Sequence, residues 1–363
     1  AERRATSSSG GLVTWVVETL LKRDWVDGVI HVGATEGDAE GALFRYQVTQ
    51  TPDAARRGAK TRYYPVEFSR VASFVRENPG RYAFVGVPCF VKAIRLLARQ
   101  DAAIDNALIY CVALFCGHMK SAAYAQHLGW QLGIAPEALE GIDFRRKREG
   151  IPANRYGVTV TGRDANGVRE ERFAPMEKLH GGDWGLGLFK PRACDFCDDV
   201  AGETADLACG DAWLPDYVDD SRGTSVAIVR SAALERLLAD GCRRGELYLD
   251  RLAPEAVTAS QDASYRHRGE GLAYRLAQWD TAGRWRPPKR VKPKADGLSR
   301  RRQKVYDLRV ELGERSHDAF LAARRRGGER AFRVRMAPWI LRYYQVSRGI
   351  PRTLARWLRR TLR

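Results

Sequence analysis

The chain has 363 residues, 44% of them hydrophobic, and a formal net charge of +17. That length and apolar content provide for one large core or two smaller ones and exclude a disordered or fibrous chain. No apolar run of about 18 residues occurs, and Ala1-Glu2-Arg3-Arg4 does not begin a signal peptide, so neither a spanning helix nor a secretory signal is visible.

The expectation is a cytoplasmic protein, and the lack of an initiator Met leaves room for residues upstream of Ala1. The charge is not spread evenly. Residues 284–363 hold 25 Lys+Arg against 6 Asp+Glu, whereas residues 1–283 hold 36 against 38. Basicity therefore speaks of what the C-terminal segment touches and not of the chemistry in the main body. Seven scattered cysteines suit thiols or metal ligands better than a disulfide scaffold.

Ser7-Ser8-Ser9-Gly10-Gly11 precedes an apolar-periodic segment, Leu12 to Leu21, that predicts a buried helix. Such a start frees backbone N–H groups for a phosphate, or is simply a flexible end with an N-cap. Residues 28–33 and 42–48 predict strands on either side of an acidic turn at Glu36-Gly37-Asp38. Lys60, in Gly58-Ala59-Lys60, is a weaker candidate for a phosphate contact. Phe68 to Asn78 reads as a helix.

Two units then repeat a pattern. The apolar run 82–87 ends in Pro88-Cys89 before a helix, and the run 107–115 ends in Cys116-Gly117-His118 before a helix from Lys120 to Gly129. This places Cys89 and Cys116 at one edge of a parallel sheet, where α/β proteins bind ligands. Cys111 falls within its strand and reads as core, and His118 as a hydrogen-bonded polar contact. The basic run Arg145-Arg146-Lys147-Arg148 faces either an anionic cofactor or solvent. Asp164-Ala165-Asn166-Gly167 marks a hairpin.

Residues 181–188 are Gly-rich without a nucleotide fingerprint and lead to Cys194-Asp195-Phe196-Cys197. Thr224 to Arg230 reads as a strand, Ala232 to Cys242 as a helix and Glu246 to Leu249 as a last short strand. Residues 285–294 read as a linker. The Arg-rich helical stretches beyond it carry Trp339, Ile340, Leu341, Tyr343, Tyr344, Leu354, Trp357 and Leu358. They suggest an amphipathic surface for anionic membrane first, and for a partner protein or nucleic acid second.

The pair Cys194 and Cys197 needs two further sulfurs to close a site, and Cys89 and Cys116 are placed to supply them. Ligands drawn from three distant places need a prefolded scaffold, which favours an iron–sulfur cluster over structural zinc, although thiolates suit both. A thioredoxin-like redox pair is the third reading. Asp195, Asp198 and Asp199 oppose it by disfavouring a thiolate.

These motifs, with Ala205-Asp206 and Gly210-Asp211-Ala212-Trp213, come in the order found in the coenzyme F420 hydrogenase/dehydrogenase beta-subunit family, which the chain resembles from about residue 6 to about 270. Relatives in that family include 7-hydroxymethyl chlorophyll a reductase. The resemblance implies an FAD-containing iron–sulfur oxidoreductase. It would pass electrons between a [4Fe-4S] cluster and FAD, and by hydride transfer to or from coenzyme F420 or another organic acceptor. It implies Cys89, Cys116, Cys194 and Cys197 as cluster ligands and Ser8, Ser9, Gly10 and Gly11 as part of the flavin site, joined by Lys60, Thr224 and Ser225. The partners implied are a redox protein or small-molecule electron donor.

The expected fold is mixed α/β, a sheet with flanking helices built from strand–helix units, plus a basic helical C-terminal tail. The expected division is 1–78 for the N-terminal part of the flavoprotein core, 79–283 for the part carrying the cluster cysteines and 284–363 for the linker and tail. No residue stands out as general acid or base. The ferredoxin-like cysteine run that many members carry does not precede Ser7. The rival reading is a zinc-stabilised scaffold protein docked through its basic tail on membrane or nucleic acid.

Overall fold

The structure is a computed structural model that describes residues 2–35 and 41–349. The acidic turn at Glu36 to Asp38 and the apolar residues Leu354, Trp357 and Leu358 lie outside it.

Among the described residues, nine strands form two sheets. The first contains β1 (Gly28–Ala34), β2 (Phe44–Thr49), β3 (Tyr82–Gly86), β4 (Leu108–Leu114), β8 (Leu207–Asp211) and β9 (Ser225–Val229), in the order β2-β1-β3-β4-β8-β9. Its four central strands run parallel, and β2 and β9 close the edges antiparallel. The second sheet is the antiparallel meander β5 (Leu139–Arg146), β6 (Gly157–Arg163) and β7 (Arg169–Pro175).

Parallel strands need cover on both faces, and the alternation of apolar side chains provides it. Val29, Ala83, Val85, Val112 and Leu207 face one way, where Trp15, Val16 and Leu20 of helix Leu12–Lys22 and Leu234 and Leu237 of helix Ala232–Arg243 pack on them. Ile30, Phe84, Cys111, Ala113 and Ala208 face the other way, against Val71, Val75, Val91, Ile94 and Ile104 from three helices. The mixed α/β architecture with flanking helices is thus the one the sequence predicted.

The sheet takes strands from both sides of residue 78, β1 pairing directly with β3. One predicted strand is absent: Glu246 to Leu249 is coil. On that side the sheet ends in β9, and Tyr248 stands 90% exposed.

The C-terminal helices Arg300–Arg326 and Gly328–Arg348 form a hairpin that belongs to the fold. Leu308, Leu312, Phe320, Phe332, Met336, Ile340, Tyr343 and Tyr344 are buried with Ile142, Phe144, Val158 and Val160 of the small sheet and with Leu186, Leu188 and Phe189. Of the apolar side chains that suggested a membrane-facing surface, Ile340, Tyr343 and Tyr344 are turned inward and Trp339 and Leu341 are half-buried. No described helix is long and apolar enough to cross a membrane.

The N-terminus is fixed by one carboxylate. Glu18, fully buried, accepts hydrogen bonds from Arg3 at 2.9 Å and from Arg56 at 2.9 Å, joining the segments that lead into Ser7–Gly11 and Lys60. Burial opposes its ionisation, but the hydrogen bonds and charges of Arg56 and Arg3 outweigh it and hold the carboxyl below its ordinary value. A carboxylate with a lowered folded pKa stabilises above its unfolded pKa and loses that contribution as pH falls through the folded value. Glu18→Gln is therefore expected to cost about 1–3 kcal/mol in denaturant unfolding at neutral pH. The difference from wild type should shrink once the pH drops below the ordinary glutamate range.

Candidate functional site

The parallel strands β3 and β4 end side by side, Gly86 opposite Ala113. After β3, Pro88 occupies the first turn of helix Pro88–Ala98, a position that needs no N–H, and Cys89 follows it. After β4, the Cys116 N–H donates to the Val200 carbonyl at 3.0 Å, which ties it to the segment that follows the C-x-x-C. Cys194 sits in a short 3₁₀ turn, Arg192–Phe196, and Cys197 caps its end. The Met119 N–H donates to the Cys194 sulfur at 3.4 Å, bringing that turn against the chain leaving Cys116.

The four thiols are close enough to act on one another. Burial, then the neighbouring Cys197 and Cys194, pushes the Cys89 thiol up to about 11. Burial chiefly, with the other three cysteines, pushes Cys116 up to about 12. Burial also raises Cys194. Such thiols stay protonated unless a cation compensates the thiolates, which is the condition metal binding meets. Cys89 has the most exposed surface of the four residues, while its thiol stays crowded by surrounding protein.

Cys111 and Cys209 lie apart, buried within their strands, and Cys242 lies on helix Ala232–Arg243. Among the described residues, no three His, Cys, Asp or Glu side chains are grouped to hold a metal ion. The clasp gathers its sulfurs without closing them on a single ion.

Of the sequence-predicted flavin residues, Ser8, Ser9, Gly10, Thr224 and Ser225 come together in a second group. The Ser8 hydroxyl accepts from the Thr61 N–H at 2.9 Å, Ser9 Oγ donates to the Thr224 carbonyl at 3.0 Å, and Ser225 Oγ donates to Ser9 Oγ at 3.4 Å. Gly10 is required by contact, because a Cβ there would lie 2.6 Å from the Ser225 nitrogen. Gly11 is required by conformation, with φ of +84° as the N-cap of helix Leu12–Lys22. Lys60 is adjacent but already engaged, in a 2.9 Å ion pair with Asp143.

Several residues of this region were not singled out from the sequence. A register irregularity between Asp143 and Arg146 at the end of strand β5 splits the basic run, leaving consecutive Phe144 and Arg145 both buried. Arg145 turns in and pairs with both oxygens of Asp211 at 2.6 and 2.8 Å, with its guanidinium over Tyr156. Arg146 is exposed. The Lys147 ammonium reaches the carbonyls of Arg4, Ser9 and Arg222, and Arg148 pairs with Glu177. Lys147 thus draws the N-terminal helix, the serine loop and the 222–225 loop together. No period in the sequence signals this, because the pairing irregularity at the end of β5 sets the directions of these side chains. A cavity of about 250 Å³ between the two sheets adjoins the region and is lined by Lys60, Arg62 and Asp143.

An aromatic series runs between the two groups. His118, two residues after Cys116, stacks on Trp184 at 4.4 Å. Trp184 meets Tyr63 at 4.6 Å, and Tyr63 is two residues from Thr61. The Nε2 of His118 has no hydrogen-bond partner, in place of the polar contact expected there. Burial first, then the charges of Lys120 and Arg309, drives its pKa well down and keeps the ring neutral.

Residues 1–73 match the family model for the N-terminal part of the coenzyme F420 hydrogenase/dehydrogenase beta subunit, and residues 80–255 match the model for its C terminus. The chain belongs to the coenzyme F420 hydrogenase/dehydrogenase beta-subunit family. Both halves of the family pattern are thus present, and all four clasp cysteines and every residue of the serine-loop group fall within the matched segments. Family membership makes the chain an electron-transfer oxidoreductase.

Among solved structures, a chain of the F420-reducing [NiFe] hydrogenase complex of Methanosarcina barkeri, studied as a xenon derivative, shares the fold. It superposes with a TM-score of 0.55 at 16% identity, covering 79% of this chain and 92% of that one. No curated protein matches in sequence.

Proposed function

We propose that the chain is an iron–sulfur flavoprotein in which Cys89, Cys116, Cys194 and Cys197 hold a [4Fe-4S] cluster and the serine loop holds the phosphate end of FAD. The observation that carries this reading is the meeting of four cysteines from three distant places at the carboxyl edge of a parallel sheet. That is the edge where α/β folds bind cofactors.

The thiol donor set fits such a cluster, and ligands drawn from three distant places on a prefolded sheet edge favour it over a small zinc site built from adjacent pairs. Ser8, Ser9, Gly10 and Gly11 with Thr224 and Ser225 offer hydroxyls and a close backbone approach for the pyrophosphate, at the start of a helix. Lys147 and Arg4 keep positive charge beside them. Lys60, paired with Asp143, lines the adjoining cavity.

When bound, the pair supplies one-electron exchange at the cluster and hydride transfer at the flavin, to or from coenzyme F420 or another organic acceptor. The protein's own part is to hold the two sites on one rigid edge, fill the space between them with His118, Trp184 and Tyr63, and present Cys89 at the surface toward an electron donor. Exposed arginines on the C-terminal hairpin, among them Arg325, Arg330, Arg335 and Arg342, support docking on an acidic surface of a redox partner.

Anaerobic analysis of purified, reconstituted protein for iron, sulfide and flavin tests the reading. About four irons and one flavin per chain are expected. A colourless protein with about one zinc would sink it. Gly10→Ala sharpens the flavin assignment. Its methyl group would press on the Ser225 backbone, which yields less readily than a side chain, and overpacking of this kind costs about 1–3 kcal/mol. FAD affinity, titrated by flavin fluorescence, is expected to fall on the order of tenfold to a hundredfold with iron content unchanged.

A further inference from the structure

Beyond the cysteines themselves, one side chain touches both halves of the clasp. Arg268 ends the helix Asp262–Arg268, outside the residues matched by either family model, and is only 6% exposed. Its Nη1 donates to the Cys197 sulfur at 2.9 Å and to the Asp199 carbonyl, and its Nη2 donates to the Gly117 carbonyl at 2.7 Å. Its charge also acts on Cys116 and Cys194. One planar guanidinium therefore spans the C-x-x-C turn and the β4 strand end, which is the fork geometry that arginine offers and lysine does not.

The other charges around the clasp have partners elsewhere. Lys190 pairs with Asp195, and Arg275 donates to the Asp195 carbonyl at 2.9 Å. Lys120 donates to the Leu188 carbonyl and lies over the Tyr124 and Trp184 rings, and Arg309 donates to the Gly185 carbonyl at 2.7 Å. Among the acids, Asp199 accepts the N–H groups of Gly202 and Glu203, and Asp198 faces Lys289 and Arg290. Arg268 is the cation that donates to a clasp sulfur, that of Cys197.

We propose that Arg268 is a positioning residue that locks the C-x-x-C turn to the β4 end and holds the reduction potential of the site up. This rests on the iron–sulfur reading above. An N–H donor and a full positive charge at a ligand sulfur both favour the reduced, more negative state, and they do so strongly where water is excluded.

The test is a redox titration followed by electron paramagnetic resonance on the anaerobically reconstituted full chain, comparing wild type, Arg268→Met and Arg268→Lys at equal iron content. Arg268→Met is expected to move the oxidised-to-reduced equilibrium at least tenfold toward oxidised, a potential 59 mV more negative for one electron. Arg268→Lys, keeping the charge without the fork, is expected to fall between the two.

A second readout is release of iron to a chelator, expected to be at least tenfold faster in Arg268→Met, with circular dichroism of the apoprotein unchanged. If Arg268→Met takes up no cluster, Arg268→Lys decides. A wild-type potential and release rate in a loaded variant would overturn the proposal while leaving the iron–sulfur reading standing. Absence of a cluster from wild type would overturn both.

Discussion

Replacing Cys116 by alanine is expected to strip the protein of its iron and visible colour while leaving the fold in place. The substitution removes a single sulfur from a residue whose backbone N–H is already held by Val200 at the end of a fully paired strand, so the scaffold loses little. The metal loses one of four thiolates, and a cluster held by three is open to solvent at the missing corner. Iron per chain should fall from about four to below one on reconstitution, with the same result for Cys194→Ala.

Cys242→Ser, at a cysteine on a separate helix, is the control and should load like wild type. Full iron content in Cys116→Ala would remove Cys116 from the ligand set and break the argument from the sheet edge. Thermal unfolding of the apoproteins should differ by no more than about 1 kcal/mol between wild type and Cys116→Ala, which separates loss of a ligand from loss of the fold.

The clasp was legible because the sequence repeats itself around it. Two apolar runs each end in a cysteine and pass into a helix, so the position of one in the sheet implies the position of the other, and only the C-x-x-C had to be brought from afar. The serine loop was legible for a similar local reason.

Arg268, Lys147 and Arg145 were not, since each acts through a contact across 66 to 138 residues of chain that no local period records. The basic run around Arg145 offered charge without direction until the irregular end of β5 split it into a buried member, an exposed one and one aimed at the serine loop. Strand β8 was likewise hidden: five residues ending in Gly210-Asp211 carry a weak strand pattern, and pairing with β4 and β9 decides it. In the described part of the tail, amphipathicity names a face and not its partner: Ile340, Tyr343 and Tyr344 pack in one cluster with this protein's own small sheet.

That partnership sets the second large effect. Truncation before Ser299 is expected to leave the chain aggregation-prone and unable to load its metal, because the hairpin is one wall of the core. Phe332 is fully buried, stacked on Phe189 at 5.5 Å and packed on His127 at 4.2 Å. The Ser316 hydroxyl accepts from the Phe189 N–H at 2.7 Å, Arg309 donates to the Gly185 carbonyl, and Tyr344 donates to Asp183 at 3.0 Å. Apart from the packing on His127, these contacts fix the segment 183–190 that delivers Cys194 to the clasp. Without the hairpin this segment loses its cover and an apolar patch becomes exposed.

The milder form of the test is Phe332→Ala, for which a cavity in a packed aromatic cluster costs about 3–5 kcal/mol. Its denaturant midpoint should fall accordingly, and iron retention should fall with it because the same cluster backs Phe189. A truncated chain that stays monomeric in sedimentation and loads a full complement of iron would show that the hairpin is an appendage. The basic charge of the segment would then be its whole purpose. With the hairpin integral, its outer arginines are carried on a surface held rigid relative to the clasp, which is what a docking face for an electron donor requires.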